Sequence, residues 1–119
     1  MKKLKMLILL LLLCSSALWA NETKIEATFD ELEKMIHDVN RDGKINCIDY
    51  AVLFQYLYGP EAKIMHNTKL NHLFIRVGNV DIEPQGHSTI YKMQHMWSYR
   101  YDPNYNREVT DKWKINARR

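Results

Sequence analysis

A glycine-containing loop that runs directly into a helix constrains this chain more than any other feature. Residues 38–49 read DVNRDGKINCID, with acidic and amide side chains at alternate positions before Gly43. Asn46 is a favoured N-cap residue, and apolar side chains at helical spacing follow it until Gly59-Pro60 ends the pattern. The sequence therefore predicts that residue 47 lies in the first turn of a helix.

A second helix is predicted before this loop and a sheet after it. Residues 28–31 read TFDE, the form of a capping box, which predicts a helix from Thr28 to about residue 37. Beyond Pro60 a short strand is predicted at 62–66. The runs 72–77 and 80–84 flank Gly78-Asn79, which is typical of a tight antiparallel hairpin.

The hairpin register sorts its side chains onto two faces. Ile75 should face Ile82 on an apolar side, because alternate residues of a strand point the same way. The opposite face then carries five side chains, namely His72, Phe74, Arg76, Asp81 and Glu83. Arg76 and Asp81 are directly opposed, so an ion pair between them is expected.

The C-terminal third is rich in Tyr, Trp and Asn. We expect a helix near 90–97, a turn at 102–104 and a short helix from Thr110. The aromatic residues are expected in the core and rim, with a substrate groove as the alternative; they are Tyr91, Trp97, Tyr99 and Tyr101. The predicted fold class is α+β, with an N-terminal helix and a second helix packed on a short antiparallel sheet.

The chain begins like a secretory signal peptide. Lysines at its start precede the apolar run 6–13, which is shorter than the ~20 residues of a membrane-spanning helix. We expect residues 1–20 to be removed and 21–119 to form one domain, with its core at about 28–84 and an extension at 85–119. Cys14 is an alternative lipid attachment site, and only then would the protein associate with a membrane. Export, into the periplasm or medium, is the predicted location.

Charge excludes one class of partner. The whole chain has 17 basic and 14 acidic residues, and residues 1–20 hold three lysines and no acidic residue. The remainder is therefore formally neutral, with no basic surplus of the kind that binds nucleic acid.

The cysteine count directs attention to one thiol. Cys47 is the only cysteine outside the leader, so it is buried and inert, paired between chains, or reactive. The first turn of a helix favours the thiolate, because free N–H groups and the macrodipole stabilise negative charge. His72 would be its base and Glu83 would orient that base, with Asp81 as the alternative third member.

These residues resemble a known family. Three segments are similar to motifs of bacterial transglutaminase-like proteins: 47–54 (CIDYAVLF) to the nucleophile helix, 71–77 (NHLFIRV) to the strand that begins with the histidine, and 82–84 (IEP) to the acidic residue before proline. The resemblance implies a papain-like core in which Cys47, His72 and Glu83 form a catalytic triad. It also implies acyl transfer on a protein or peptide, by hydrolysis or transamidation, without a cofactor.

The loop resembles a second family. Its spacing follows an EF-hand pattern, since alternate oxygen donors can surround one cation and Gly43 permits a sharp turn. The predicted calcium ligands are Asp38, Asn40, Asp42, the Lys44 carbonyl, Asn46 and Asp49. The stretch DVNRDGKIN is similar to one repeat of a dockerin, which implies calcium-dependent binding of a cohesin.

The two interpretations are compatible. Cys47 occupies the tenth loop position, which supplies no calcium ligand and coincides with the start of the helix. A structural Ca²⁺ ion would then fix the helix start that presents the thiol. The primary prediction is an exported cysteine-dependent acyl-transfer protein, and the alternative is a non-enzymatic calcium-binding interaction module. The oligomeric state is left open.

Overall fold

The computed structural model describes residues 22–86, 88–91 and 101–115. Within these ranges there are three α-helices, one 3₁₀ helix and five strands, which confirms the predicted α+β class. Helix α1 includes residues 22–35, α2 spans Cys47–Tyr58 and α3 spans Thr110–Trp113. None of the described helices has the length and apolar character needed to cross a bilayer.

Helix α1 extends further towards the N-terminus than predicted. Thr28 lies inside it, and its Oγ1 donates to the carbonyl of Lys24 at 2.7 Å instead of capping a helix start. The predicted start at Thr28 is therefore wrong, since the capping-box pattern also occurs within helices. The apolar face is as expected, because Phe29 and Leu32 are buried.

The sheet is antiparallel throughout. Its strands are β1 (Ala62–Asn67), β2 (His72–Val77), β3 (Val80–Glu83), β4 (Ser88–Tyr91) and β5 (Asn106–Glu108). Their spatial order is β4-β3-β2-β1-β5. Strand β2, which begins with His72, therefore lies in the centre of the sheet.

The predicted hairpin register is confirmed. Val77 pairs with Val80 and Ile75 with Ile82 across the two-residue turn. Gly78 has a φ of 57°, in the left-handed region that glycine adopts without steric cost. This register fixes which residues of β3 share a face with His72.

The two faces of the sheet are covered differently. Helices α1 and α2 cover one face, where Phe29 packs on Phe54 with ring centroids 5.4 Å apart. On the other face Phe74 and Met65 form a smaller cluster with Tyr101 from the C-terminal segment. Tyr101 therefore packs on the side of the sheet opposite the main core, whereas Val109, Trp113 and Ile115 pack against the main core.

The C-terminal predictions have mixed outcomes. The helix expected near 90–97 is wrong at its start, because Ser88–Tyr91 forms β4, and the rest of that prediction lies outside the described residues. The turn at 102–104 is present as a 3₁₀ helix, Pro103–Tyr105, and the helix from Thr110 is confirmed as α3. Residues 1–20, including Cys14, also lie outside the described residues, as do Trp97 and Tyr99.

Candidate active site

Cys47 is the first residue of α2, as predicted. Asn46 precedes it as the N-cap, and its side chain accepts a hydrogen bond from the N–H of Ile48 at 3.1 Å. Asp49 completes a capping box by accepting from the N–H of Asn46 at 2.8 Å. The thiol is free and partly exposed at the positive end of the helix.

Cys47, His72 and Glu83 are brought together at one end of the sheet. The Cys47 thiol interacts electrostatically with the His72 side chain and with the backbone of Leu73. Nε2 of His72 lies 2.8 Å from one carboxylate oxygen of Glu83 and 3.0 Å from the other. His72 therefore interacts with Cys47 and, through Nε2, with Glu83.

The alternative third member has a different partner. The Arg76 guanidinium donates to the Asp81 carboxylate at 2.8 Å, and the two residues are directly opposed in the sheet. The expected ion pair is therefore present. Of the two acidic residues considered, Glu83 is the one in contact with His72.

The electrostatics of the pair favour a thiolate and an imidazolium. The hydrogen bond from His72 lowers the pKa of the Cys47 thiol, against the opposing effect of burial. The contacts with Cys47 and then Glu83 raise the pKa of His72 to about 9. A nucleophilic thiolate beside a protonated imidazole is the ground state that cysteine acyl-transfer chemistry uses.

Tyr101 was missed as part of this site. Its hydroxyl donates to the Glu83 carboxylate, and its ring stacks on Phe74 at 4.4 Å and on His72 at 5.6 Å between centroids. Tyr101 is buried, so these contacts restrict both the acid and the imidazole. The sequence offered only an aromatic residue before a turn, with no spacing that relates it to Glu83.

Asn67 is a second residue that the sequence did not single out. It is fully buried, and its side-chain nitrogen donates to the Asp102 carbonyl at 3.2 Å and to Asn106 Oδ1 at 2.8 Å. These bonds attach the segment after Tyr101 to the end of β1. The sequence offered only an Asn between a predicted strand and a turn, which does not indicate burial.

A cleft of about 300 Å³ opens beside the thiol. The described residues that line it come from the α2 start, the adjoining strands and α3; they are Asn46, Cys47, Ile48, His66, Asn71, Leu73, Val109, Lys112 and Trp113. This volume is at the lower end of the range for small-molecule sites. The Cys47 side chain is therefore part of a defined concave surface.

The loop before α2 is held by local hydrogen bonds. The Asp38 carboxylate accepts from the N–H of Gly43 at 2.7 Å, and Asp42 accepts from the N–H of Lys44 at 2.9 Å. The bond from Lys44 lowers the pKa of Asp42. Arg41 and Gly43 have positive φ values of 56° and 84°, so the chain turns sharply here.

The fit of this loop to calcium is partial. Asp38, Asn40 and Asp42 place hard oxygen donors in one exposed turn, as Ca²⁺ requires. Asp49 is fully buried, and its two oxygens accept from the N–H groups of Val39 and Asn46. Over the described part of the chain, no three His, Cys, Asp or Glu side chains are grouped as a metal site. Coordination by all six predicted ligands stays a prediction.

Comparison with known proteins bears on the loop. The sequence model of the dockerin type I domain matches residues 19–72, a segment that contains α1, the loop, α2 and β1. No curated protein and no solved structure matches the chain. The match supports the predicted likeness to a dockerin calcium repeat and gives no support to the transglutaminase resemblance. Of the two predicted functions, it supports the calcium-binding interaction module better than the enzyme.

Proposed function

We propose that this protein catalyses acyl transfer through Cys47, with His72 as general base and acid and Glu83 as the residue that orients His72. The observation that carries the proposal is the placement of Cys47 at the start of α2 beside His72, whose Nε2 lies 2.8 Å from the Glu83 carboxylate. Three properties support it together: helix-start placement, a lowered thiol pKa and an open cleft.

The chemistry follows from the paired charges. The thiolate attacks an amide carbonyl, a sulfur–carbon bond forms, and the C=O π electrons move to oxygen. The N–H of Cys47 is the first donor for that oxygen, because a first-turn N–H has no acceptor within its helix. The carbon–nitrogen bond then breaks as the His72 imidazolium gives its proton to the leaving amine.

The thioester is then cleaved by a second attack on its carbonyl carbon. Water or an amine attacks its carbonyl while neutral His72 takes the proton, and the sulfur–carbon bond breaks to restore the thiolate. Water gives hydrolysis and an amine gives transamidation. The substrate class we propose is a protein or peptide amide, and the chemistry needs no cofactor.

Alkylation of the full chain across pH tests this proposal. Iodoacetamide should modify Cys47 at pH values below the usual thiol pKa of about 8.5, because His72 favours the thiolate. His72→Ala should slow this labelling by about tenfold or more at low pH, since the stabilising partner is lost. Peptide mass spectrometry separates Cys47 from Cys14.

The rate of amide cleavage should also decline at high pH. The proton that His72 gives to the leaving amine is lost as the pH rises through about 9, so amide cleavage should decline there while alkylation does not. Labelling of Cys47 that only begins near pH 8.5 and is indifferent to His72→Ala would remove the basis of the proposal.

We propose a second function, calcium-dependent binding of a protein partner, which the dockerin type I match supports. Asp38, Asn40 and Asp42 would be the principal ligands, and the resemblance implies a cohesin-type partner. Calorimetric titration with CaCl₂ tests the ion-binding step with the metal alone. Heat that disappears in Asp42→Ala supports this function, whereas no heat at millimolar calcium contradicts it.

We also propose export, which the leader-like residues 1–20 support. The N-terminal mass of protein recovered from its host distinguishes the two predicted forms. An N-terminus at Asn21 indicates cleavage by signal peptidase, and a lipidated N-terminus at Cys14 indicates a membrane anchor. An intact Met1 would contradict export.

A further inference from the structure

One wall of the cleft comes from the C-terminal end of the chain. Strand β5 pairs with β1, and two bonds continue that attachment into α3. The N–H of Val109 donates to the Ile64 carbonyl at 2.8 Å, and the Thr110 hydroxyl accepts from the N–H of Ile64 at 2.9 Å. The start of α3, which carries Lys112 and Trp113 into the cleft lining, is therefore attached to the sheet.

This wall of the cleft carries a positive charge and no negative charge among its described lining residues. Lys112 is the only lysine or arginine among the described lining residues, and none of them is Asp or Glu. The neighbouring acid, Asp111, pairs instead with Lys114 at 3.1 Å. Within the described part of the chain, Lys112 has no carboxylate partner, and its ammonium lies 5.4 Å from the Trp113 ring.

The negative charge of the triad does not face this wall directly. Glu83 is buried, lies behind His72 and is absent from the described lining of the cleft. The other polar lining groups are uncharged amides, together with His66, whose Nε2 contacts Asn71 Oδ1 at 3.0 Å. An anion entering the cleft would therefore meet a cation and an aromatic surface in the same space as the thiol.

We propose that the cleft selects acyl substrates that carry a carboxylate close to the reacting carbonyl, with Lys112 binding that carboxylate and Trp113 packing against the intervening atoms. This inference rests on the proposed acyl-transfer function. Lys112 and Cys47 line the same cleft of about 300 Å³, the lower end of the range for small-molecule sites. A carboxylate held by Lys112 would therefore share this small space with the bond that is attacked.

Two alkylating reagents of similar size test this selection. Iodoacetate carries a carboxylate and iodoacetamide a neutral amide, and both lose iodide as the Cys47 sulfur bonds to their methylene carbon. The ratio of the two rates cancels any change in thiolate fraction, because both reagents attack the same thiolate. Lys112→Gln should lower the iodoacetate-to-iodoacetamide ratio by roughly threefold, the scale of a partly exposed ion pair.

Matched variants make the result specific. Lys112→Glu should lower the ratio further, and Lys112→Arg should retain it. Lys114→Gln removes one charge from the residue that follows α3, which is outside the cleft lining. The wild-type ratio should also fall as salt is raised. An unchanged ratio in Lys112→Gln, or an equal fall in Lys114→Gln, overturns the inference.

The acyl-transfer proposal fails separately. Its failure appears as iodoacetamide labelling of Cys47 that is slow and unaffected by His72→Ala, whatever the ratio in Lys112 variants. A selective fall in the ratio with fast, His72-dependent labelling supports both statements. Fast, His72-dependent labelling with an iodoacetate-to-iodoacetamide ratio that does not change in Lys112 variants supports the acyl-transfer proposal and contradicts the carboxylate site.

Discussion

Two adjoining regions of this molecule, the Asx-rich loop at 38–46 and the thiol site, are built in different ways. The loop is largely exposed, and its side chains bond to groups two to five positions away in sequence. In the thiol site His72 and Glu83 are eleven positions apart, and Tyr101 contacts Glu83 from eighteen positions away. The loop is thus a local structure, whereas the thiol site exists only after the sheet has formed.

The family comparison also treats the two regions differently. A family model is matched along the sequence, and the dockerin type I match contains the whole loop but ends at His72, before Glu83 and Tyr101. The loop pattern is dense and local, so it is easily matched. The thiol site depends on contacts between distant segments.

Substitution of Glu83 should have the largest effect on the activity of the thiol site, and substitution of Asp81 is its control. Glu83→Ala should reduce Cys47-dependent hydrolysis of an activated ester by on the order of 10²-fold or more, because His72 loses the group that orients it. Asp81→Ala removes a carboxylate from the same strand but leaves the His72 contact in place. Equal losses in the two variants would mean that Glu83 has no special role.

Asp49 connects the two regions, so its substitution should destabilise both the loop and the start of α2. It is fully buried and accepts from Val39 on the loop side and Asn46 at the helix start. Asp49→Ala should lower the free energy of unfolding by about 2–4 kcal/mol, because two buried N–H groups lose their acceptor. Urea denaturation measures this loss.

The conservative control is informative at this position. Asp49→Asn retains one acceptor oxygen but turns an NH₂ group towards a backbone N–H, so it should recover only part of the lost stability. Asp42→Ala, in the exposed part of the loop, should leave the unfolding midpoint close to that of the wild type. A wild-type midpoint for Asp49→Ala would show that the two regions are not joined through this carboxylate.

Local patterns predicted much of the fold and part of the site. The N-cap at Asn46 and the Gly78-Asn79 turn determine where α2 begins and how β2 faces β3, and both were readable from residue type and spacing. The position of Tyr101 was not, because it depends on contacts with residues eighteen or more positions earlier in the chain. Thr28 shows the opposite error, in which a local pattern has no cap function.

Tyr101 provides a smaller test of the long-range contacts. Tyr101→Phe keeps the ring stacked on His72 and Phe74 but removes the hydroxyl that donates to Glu83. Ester hydrolysis should fall by about tenfold, since a hydrogen bond to a charged group contributes about 1.5 kcal/mol or more. Tyr101→Ala should lose stability as well, because the cluster with Phe74 is opened. Activity at the wild-type level in Tyr101→Phe would limit Tyr101 to a packing role.

Calcium should give the smallest effect and tests the loop side alone. Exported calcium modules commonly bind with dissociation constants of about 10⁻⁴–10⁻³ M, so 1 mM CaCl₂ should stabilise the fold by about 0.4–1.4 kcal/mol. The melting temperature should rise with calcium, return with EDTA and not respond in Asp38→Ala. The rate of Cys47 alkylation in the same samples then decides whether the regions are coupled. A calcium-dependent rate would mean that the ion acts through the loop on the helix start, whereas a constant rate would mean that Asp49 and Asn46 already fix that start without it.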